Sequence, residues 1–312
     1  MRQRELEARH RAQLFSQLAQ TGKAGLSAAD SIHVMVKSAD RSLQQPLRLF
    51  WKQLAAGKDI AQAGLKSAVF LSWEARLIQA AEASGKLVES YAGLARRHAN
   101  RARRYQNLKR GMTLPLALFV LAVLAAPLPG LLLGNINFES YLLNTTGRLL
   151  LLFGSLYLLS RGWRRLGATG ADNALFRLLL RTPWAGKLIR RQQQHDCLLS
   201  LALLLDAGVP AFQALGVAAD SVSHPTLRAQ FAGAENAARR GSSVTGALES
   251  GGILPDEQMK NLVKAGEFSG RLSEQLYRVA DQLDEQLEMQ FKVISDWAPK
   301  TAYFAVVVLF VL

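Results

Sequence analysis

The sequence predicts an all-α membrane protein, with two homologous cytoplasmic helical bundles separated by a transmembrane helical hairpin and a third transmembrane segment at the C-terminal end. Three observations lead there. Thr113 to Leu133 runs 21 residues without a charge, enough at about 1.5 Å rise per residue to cross a lipid core of roughly 30 Å. The regions on either side of it resemble one another at nearly constant spacing. Both regions place their apolar residues at helical rather than strand intervals. Composition agrees, since 49% apolar and 20% charged residues are too apolar for disorder and too charged for a chain buried wholly in lipid.

Taken in order, residues 1–112 form the first bundle. Gly25 and Ser27 suit the end of one helix and the start of the next, and Gly85 suits a left-handed cap before a helix whose apolar face carries Leu87, Tyr91, Leu94 and Ala95. The N-terminus MRQRELEARHRAQLF has charged helical character and no apolar h-region, so insertion relies on the internal spans. Residues 113–133 form the first transmembrane helix, with a kink or early end where Pro127 and Pro129 remove backbone donors. Residues 134–147 form a short periplasmic loop. Residues 148–166 form the second span, although only Leu149 to Ser160 is continuously apolar. Either Trp163 sits at the interface with Arg161, Arg164 and Arg165 snorkelling, or the span begins before Arg148; a buried or re-entrant helix is the alternative.

Two spans return the chain to its starting side. Residues 167–296 form the second bundle, where Leu272, Leu276, Val279, Ala280, Leu283 and Leu287 line one face of a long helix. The last segment, 297–312, ends in the apolar run Ala302 to Leu312, which covers about half a bilayer. It is partly inserted, or the natural chain continues beyond it.

The repeat rests on three ordered blocks. Ala24-Gly25-Leu26-Ser27-Ala28 matches Ala207-Gly208-Val209-Pro210-Ala211, and Ala56 to Ala63 matches Arg240 to Ala247. Glu82-Ala83-Ser84-Gly85-Lys86-Leu87 matches Glu267-Phe268-Ser269-Gly270-Arg271-Leu272. The offsets are 183, 184 and 185. Pro46 pairs with Pro225 less closely.

Charge and chemistry exclude several function classes. The net charge of +14 lies almost entirely before the first apolar run, where residues 1–112 hold 20 Lys/Arg against 8 Asp/Glu. Seven cations, Arg96, Arg97, Arg101, Arg103, Arg104, Lys109 and Arg110, directly precede that run with no acid among them. This is the flank that the positive-inside rule expects. A basic helical protein that binds nucleic acid at the membrane periphery is the rival, but no aromatic-rich strand or zinc pattern accompanies the charge. The single cysteine, Cys197, excludes an intrachain disulfide and a Cys-x-x-Cys pair. His10, His33, His98, His195 and His224 lack ligand spacing, and no His-Glu-x-x-His or Gly-x-Ser-x-Gly occurs. Thr21-Gly22-Lys23 has the end of a phosphate loop, yet Gln17 stands where its first glycine belongs. Neither an enzyme nor a cofactor is expected.

Two sets of residues are candidates for function. Glu82 and Glu267 each stand three positions before a glycine, Gly85 or Gly270, and five before Leu87 or Leu272. Such a carboxylate can accept hydrogen bonds from the amides that open a neighbouring helix, or can meet a partner. The last helices of the repeats also differ in sign: Arg96, Arg97, Arg101, Arg103 and Arg104 in the first correspond to a stretch with Asp281, Asp284, Glu285 and Glu288 in the second. The acidic stripe either faces solvent or meets a basic surface, on the first bundle of a neighbouring protomer or on another partner.

The order of blocks, an Ala-Gly turn, then Gly-x-x-[Val/Ile]-x-x-Ala, then Glu-x-Ser-Gly-x-Leu, duplicated around an apolar hairpin, resembles the type II secretion system F family. Those proteins are inner-membrane platforms of type II secretion and type IV pilus systems. The resemblance implies a non-enzymatic, multi-pass protein of the bacterial inner membrane with both bundles cytoplasmic. It also implies partners: a cytoplasmic assembly ATPase, pilin or pseudopilin subunits, other inner-membrane assembly proteins and further copies of the chain, with no nucleic acid.

Overall fold

A computed structural model of the chain describes residues 8–39, 41–125 and 185–311, with scattered positions between 128 and 154. Among the described residues, regular structure is helical throughout, in two sets of six. The first set is α1 (Ala8–Lys23), α2 (Ala28–Ser38), α3 (Arg41–Ala55), α4 (Ile60–Lys66), α5 (Ser72–Ala83) and α6 (Leu87–Ala125). The second is α7 (Ala185–Asp206), α8 (Ala211–Asp220), α9 (Pro225–Arg239), α10 (Val244–Ser250), α11 (Glu257–Phe268) and α12 (Leu272–Val311).

The same local chemistry cuts both sets into helices. Positive φ occurs at Gly25, Gly57 and Gly85 in the first and at Gly208, Gly241 and Gly270 in the second. At the α5–α6 turn the Lys86 amide donates to Ala81 O over 2.8 Å, and at the α11–α12 turn the Arg271 amide donates to Gly266 O over 2.9 Å. These bonds close the helix ends in the left-handed motif that favours glycine. A fourth pair breaks the pattern: Gly252 has φ +64°, whereas its counterpart Ala68 has φ +56° and is a non-glycine residue in the left-handed region. Helix starts are capped by Ser27, Ser243 and Asp256, whose side chains accept from the amides of Asp30, Gly246 and Met259. Pro46 lies inside α3 while Pro225 opens α9, so the two prolines do not occupy equivalent places.

Both repeats belong to one compact unit, Met1–Arg103 with Thr182–Leu287. In the first repeat Phe15 is fully buried and stacks on Phe70, Tyr91 and His98 at 5.5, 6.3 and 5.8 Å. The second repeat is built around Leu198, Leu201, Leu204, Leu215, Phe231 and Leu283. Burying such side chains contributes about 1.5–3 kcal/mol each and holds the helices together. The repeats meet where α5 packs on α7 and α8. A second unit comprises Arg104–Arg181 and Glu288–Leu312.

Among the described residues no helix is long and apolar enough to cross a membrane. Helix α6 carries the chain into the expected first span as far as Ala125, and α12 runs through the last expected segment to Val311. Apart from scattered positions, the expected loop 134–147, the second span 148–166 and the remainder of the first lie outside the described residues. The expected bundle limits at 112 and 296 fall inside α6 and α12.

Candidate functional site

Glu267 closes the turn that the sequence singles out. Its carboxylate accepts from the amides of Val244 and Thr245 at 2.5 and 3.0 Å and from the Thr245 hydroxyl at 2.6 Å. These are donors at the opening of α10, which α10 itself leaves unpaired. Burial pushes the Glu267 pKa up, but the bonds from Thr245 and Val244 outweigh it and hold the group below the ordinary carboxylate value. Gly270 and Leu272 then reverse the chain into α12, with Gly270 at φ +70°.

The first repeat keeps the backbone and changes the chemistry. Glu82, Gly85 and Leu87 occupy the same turn, but Asp59 caps α4 in place of Ser243, and its side chain makes no cap bond. Two carboxyl groups therefore face each other. Burial, then the hydrogen bond and charge of Asp59, push Glu82 up to about 7. Asp59 Oδ2 and the hydroxyl of Tyr91 are buried there without a hydrogen-bond partner.

The basic run divides in two. Arg96, Arg101 and Arg103 are exposed, whereas Arg97 and Arg104 are buried. Arg97 crosses between the repeats: it donates to Asp196 O at 3.0 Å, to the Ser200 hydroxyl and to Ser221 O at 3.4 Å. It also lies 3.8 Å from Asp196 Oδ1 and packs over the Trp73 ring at 4.3 Å. Burial pushes the Asp196 pKa up, while Arg97 and then His195 pull it well below the usual carboxylate range. Nearer the rim, Lys86 Nζ donates to Asp206 O at 2.7 Å, and Arg76 pairs with Asp220 at 3.3 Å. Gly93 faces the Leu203 side chain, which an added Cβ would displace.

The acidic stripe on α12 divides likewise. Asp284 is turned inward, accepting from Asn100 Nδ2 at 2.8 Å and lying 3.7 Å from His195 Nε2. Asp281, Glu285 and Glu288 are exposed. Of the two candidate sets, the exposed members are thus these three acids and Arg96, Arg101 and Arg103.

A second buried network falls outside the sequence reading. Arg11 Nη1 donates to Glu74 Oε2 at 2.6 Å, and His98 Nε2 lies 2.7 Å from Glu74 Oε1. Glu74 also accepts from the Leu71 amide at 2.7 Å, opening α5. Burial pushes the Glu74 pKa up, but His98 and Arg11 reverse that and keep it ionised. A signal existed: Arg11, Leu14, Phe15 and Leu18 stand at i, i+3, i+4 and i+7, a spacing that puts the arginine on the apolar face. Thr21-Gly22-Lys23 forms the last turn of α1, where the Thr21 hydroxyl donates to Gln17 O, so it is no phosphate loop. Among the described residues no group of three or more His, Cys, Asp or Glu side chains could hold a metal ion.

Comparison with known proteins agrees with this architecture. The chain is 34% identical over 112 residues to the type II secretion system protein F of Pseudomonas aeruginosa, covering 36% of this chain and 27% of that protein. It is 27% identical over 230 residues to the protein of that name from Vibrio cholerae, covering 68% and 56%. The type IV pilus assembly protein PilC of Thermus thermophilus is 24% identical over 297 residues, covering 88% and 73%. The matches thus span between about a quarter and three quarters of the relatives' own lengths. The sequence profile of the family described as "Type II secretion system (T2SS), protein F" matches residues 14–133 and 198–312, one stretch in each repeat. With both halves of its duplicated six-helix architecture matched, the chain belongs to the type II secretion system protein F family.

Proposed function

We propose that this protein is a multi-pass platform subunit of the bacterial inner membrane that couples a cytoplasmic assembly ATPase to the assembly of pilin or pseudopilin subunits. The spans would be 113–133, 148–166 and 297–312, with the loop 134–147 periplasmic and the repeats, 1–112 and 167–296, cytoplasmic. The observation that carries the reading is the pair of six-helix repeats joined by Arg97 and Asp196. Two linked repeats form a body that can receive a push and pass it on without internal slip.

The exposed acids Asp281, Glu285 and Glu288, with Arg96, Arg101 and Arg103, are proposed as charged contacts to the ATPase or to neighbouring copies. The comparisons give the nucleic-acid reading no support. Reporter fusions near Ser140 and Ser221 test the topology; opposite signals are expected, and identical signals would overturn the hairpin. Charge reversal of Asp281, Glu285 and Glu288 is expected to weaken ATPase or self-association at low salt more than at high salt. Equal binding at both would remove the stripe from the interface.

A further inference from the structure

We propose that the groove between α1, α2, α3 and α6 of the first repeat is a docking site for an acidic amphipathic helix of a partner protein. It is a cavity of about 580 Å³, with Gln13, Gln17, Ser38, Leu43, Leu47 and Ala99 among its lining. At the offsets that relate the two repeats, the counterparts of these residues are Asp196, Ser200, Ser221, Leu227, Phe231 and Asp284. In the second repeat that place is filled. Arg97 of α6 enters it and bonds Asp196, Ser200 and Ser221, while Gly93 lets α6 close on Leu203. Among the described residues no helix occupies the corresponding socket of the first repeat, and Ala12 and Ala99 make it roomier where His195 and Asp284 narrow the other.

The rim says what the occupant carries. In the second repeat Asp206 and Asp220 edge the socket and are met by Lys86 and Arg76. Their counterparts are Lys23 and Lys37, both exposed. The rim has changed sign, so a helix seated as α6 is seated brings carboxylates where α6 and α5 bring cations. Gln13, Gln17 and Ser38, all exposed, offer neutral hydrogen-bond partners, and His10 is the one titratable side chain among the described lining residues.

Helix α12 of a second copy does not fit that role. The α12 residues that correspond to Lys86, Gly93 and Arg97 are Arg271, Arg278 and Gln282. Arg271 would meet Lys23, and Arg278, which pairs with Glu274 at 2.8 Å, would stand where close approach needs glycine. The inference rests on the repeat geometry and goes beyond the platform reading, since it holds whatever the membrane topology.

The test uses the detergent-solubilised full chain and two stapled helical peptides as long as the Leu87–Arg101 stretch of α6. Both have glycine at the place of Gly93; one carries glutamates on the flanking turns of the docking face and the other lysines. Fluorescence anisotropy at low salt is expected to show the glutamate peptide binding at least about tenfold more tightly. Lys23→Glu with Lys37→Glu should reverse that preference, and Gln17→Trp, which fills the groove from an exposed position, should abolish binding. Unchanged melting curves check that the variants fold. Equal binding of the two peptides, or glutamate-peptide binding that survives both variants, overturns the proposal. So does a wild-type chain that self-associates and becomes monomeric with Gln17→Trp, because the occupant is then a second copy.

Discussion

The two repeats have one backbone plan and two uses of charge. Each runs through six helices and turns on glycines at matching places. The first keeps a charged network within itself, at Arg11, Glu74 and His98, and sends Arg97 across to its neighbour. The second supplies the acids that receive those cations, Asp196, Asp206 and Asp220, and keeps Asp281, Glu285 and Glu288 exposed on α12. Backbone geometry therefore made the halves alike. Polar substitutions on equivalent faces gave the second repeat a socket filled by Arg97 and the first a groove without an occupant among the described residues.

The sharpest way to break this asymmetry is at its centre. Arg97→Ala leaves Asp196 buried beside His195 without its guanidinium, and removing one partner of a buried pair typically costs about 3–5 kcal/mol. The expected result is a loss of that size in urea unfolding of the purified chain. Converting Asp196 to Ala as well should recover part of it, because the stranded charge is then gone. A loss below about 1 kcal/mol would mean that apolar packing of α5 on α7 and α8 holds the repeats together unaided.

How much of this is legible in the sequence follows from what each feature depends on. The duplicated helical plan is visible because Gly25, Gly85, Gly208 and Gly270 answer to local backbone chemistry, and so are the apolar faces of α6 and α12. The candidate role of Glu267 as a helix cap is legible too, since the acid recurs at a fixed distance from its glycine. The division of the arginine run is not. Arg96 and Arg97 are neighbours with the same side chain, and only the arrival of α7 against one face of α6 buries the second. Asp196 and Glu74 were hidden for the same reason, because a carboxylate in an apolar stretch declares its partner only in three dimensions. The match of Pro46 to Pro225 misled because proline suits both a helix start and, at a cost, a helix interior.

The turn carboxylates offer a smaller and sign-specific test. Glu267 has a lowered pKa, so its stabilising contribution is present above about 4.5 and is lost as pH falls through the folded value. Glu267→Gln should cost about 0.5–2 kcal/mol at neutral pH as the α10 cap weakens, with the gap closing in acid. Glu82 has the opposite linkage. Its folded pKa of about 7 lies above the ordinary value, so its contribution is full below about 4.5 and is lost as pH rises through 7. Glu82→Gln should therefore gain stability relative to the unchanged chain between pH 5 and pH 8. Thermal melts from about pH 3 to about pH 8 check both variants, because Glu267 titrates in the acid part of that span and Glu82 in the neutral part, and parallel profiles would show that Asp59 does not distinguish the two turns.

The finest contrast is a methyl group. Ala68 and Gly252 hold the same left-handed place, with φ +56° and +64°. Left-handed backbone costs an alanine roughly 1–2 kcal/mol, and replacing it by glycine returns that strain while loosening the unfolded chain by about 0.4–1 kcal/mol. The first effect is the larger, so Ala68→Gly is expected to stabilise the protein by about 0.5–1 kcal/mol. Gly252→Ala should destabilise it by at least as much, because the new Cβ would also come within 2.8 Å of Gln230 Nε2. That atom ends a flexible side chain and can swing aside, which leaves the backbone as the main cost. Shifts of the urea midpoint in opposite directions would show the two turns to be equivalent in backbone and unequal in residue. A destabilising Ala68→Gly would mean that packing around Val69 and Phe70, both buried beside it, favours alanine there in spite of its strain.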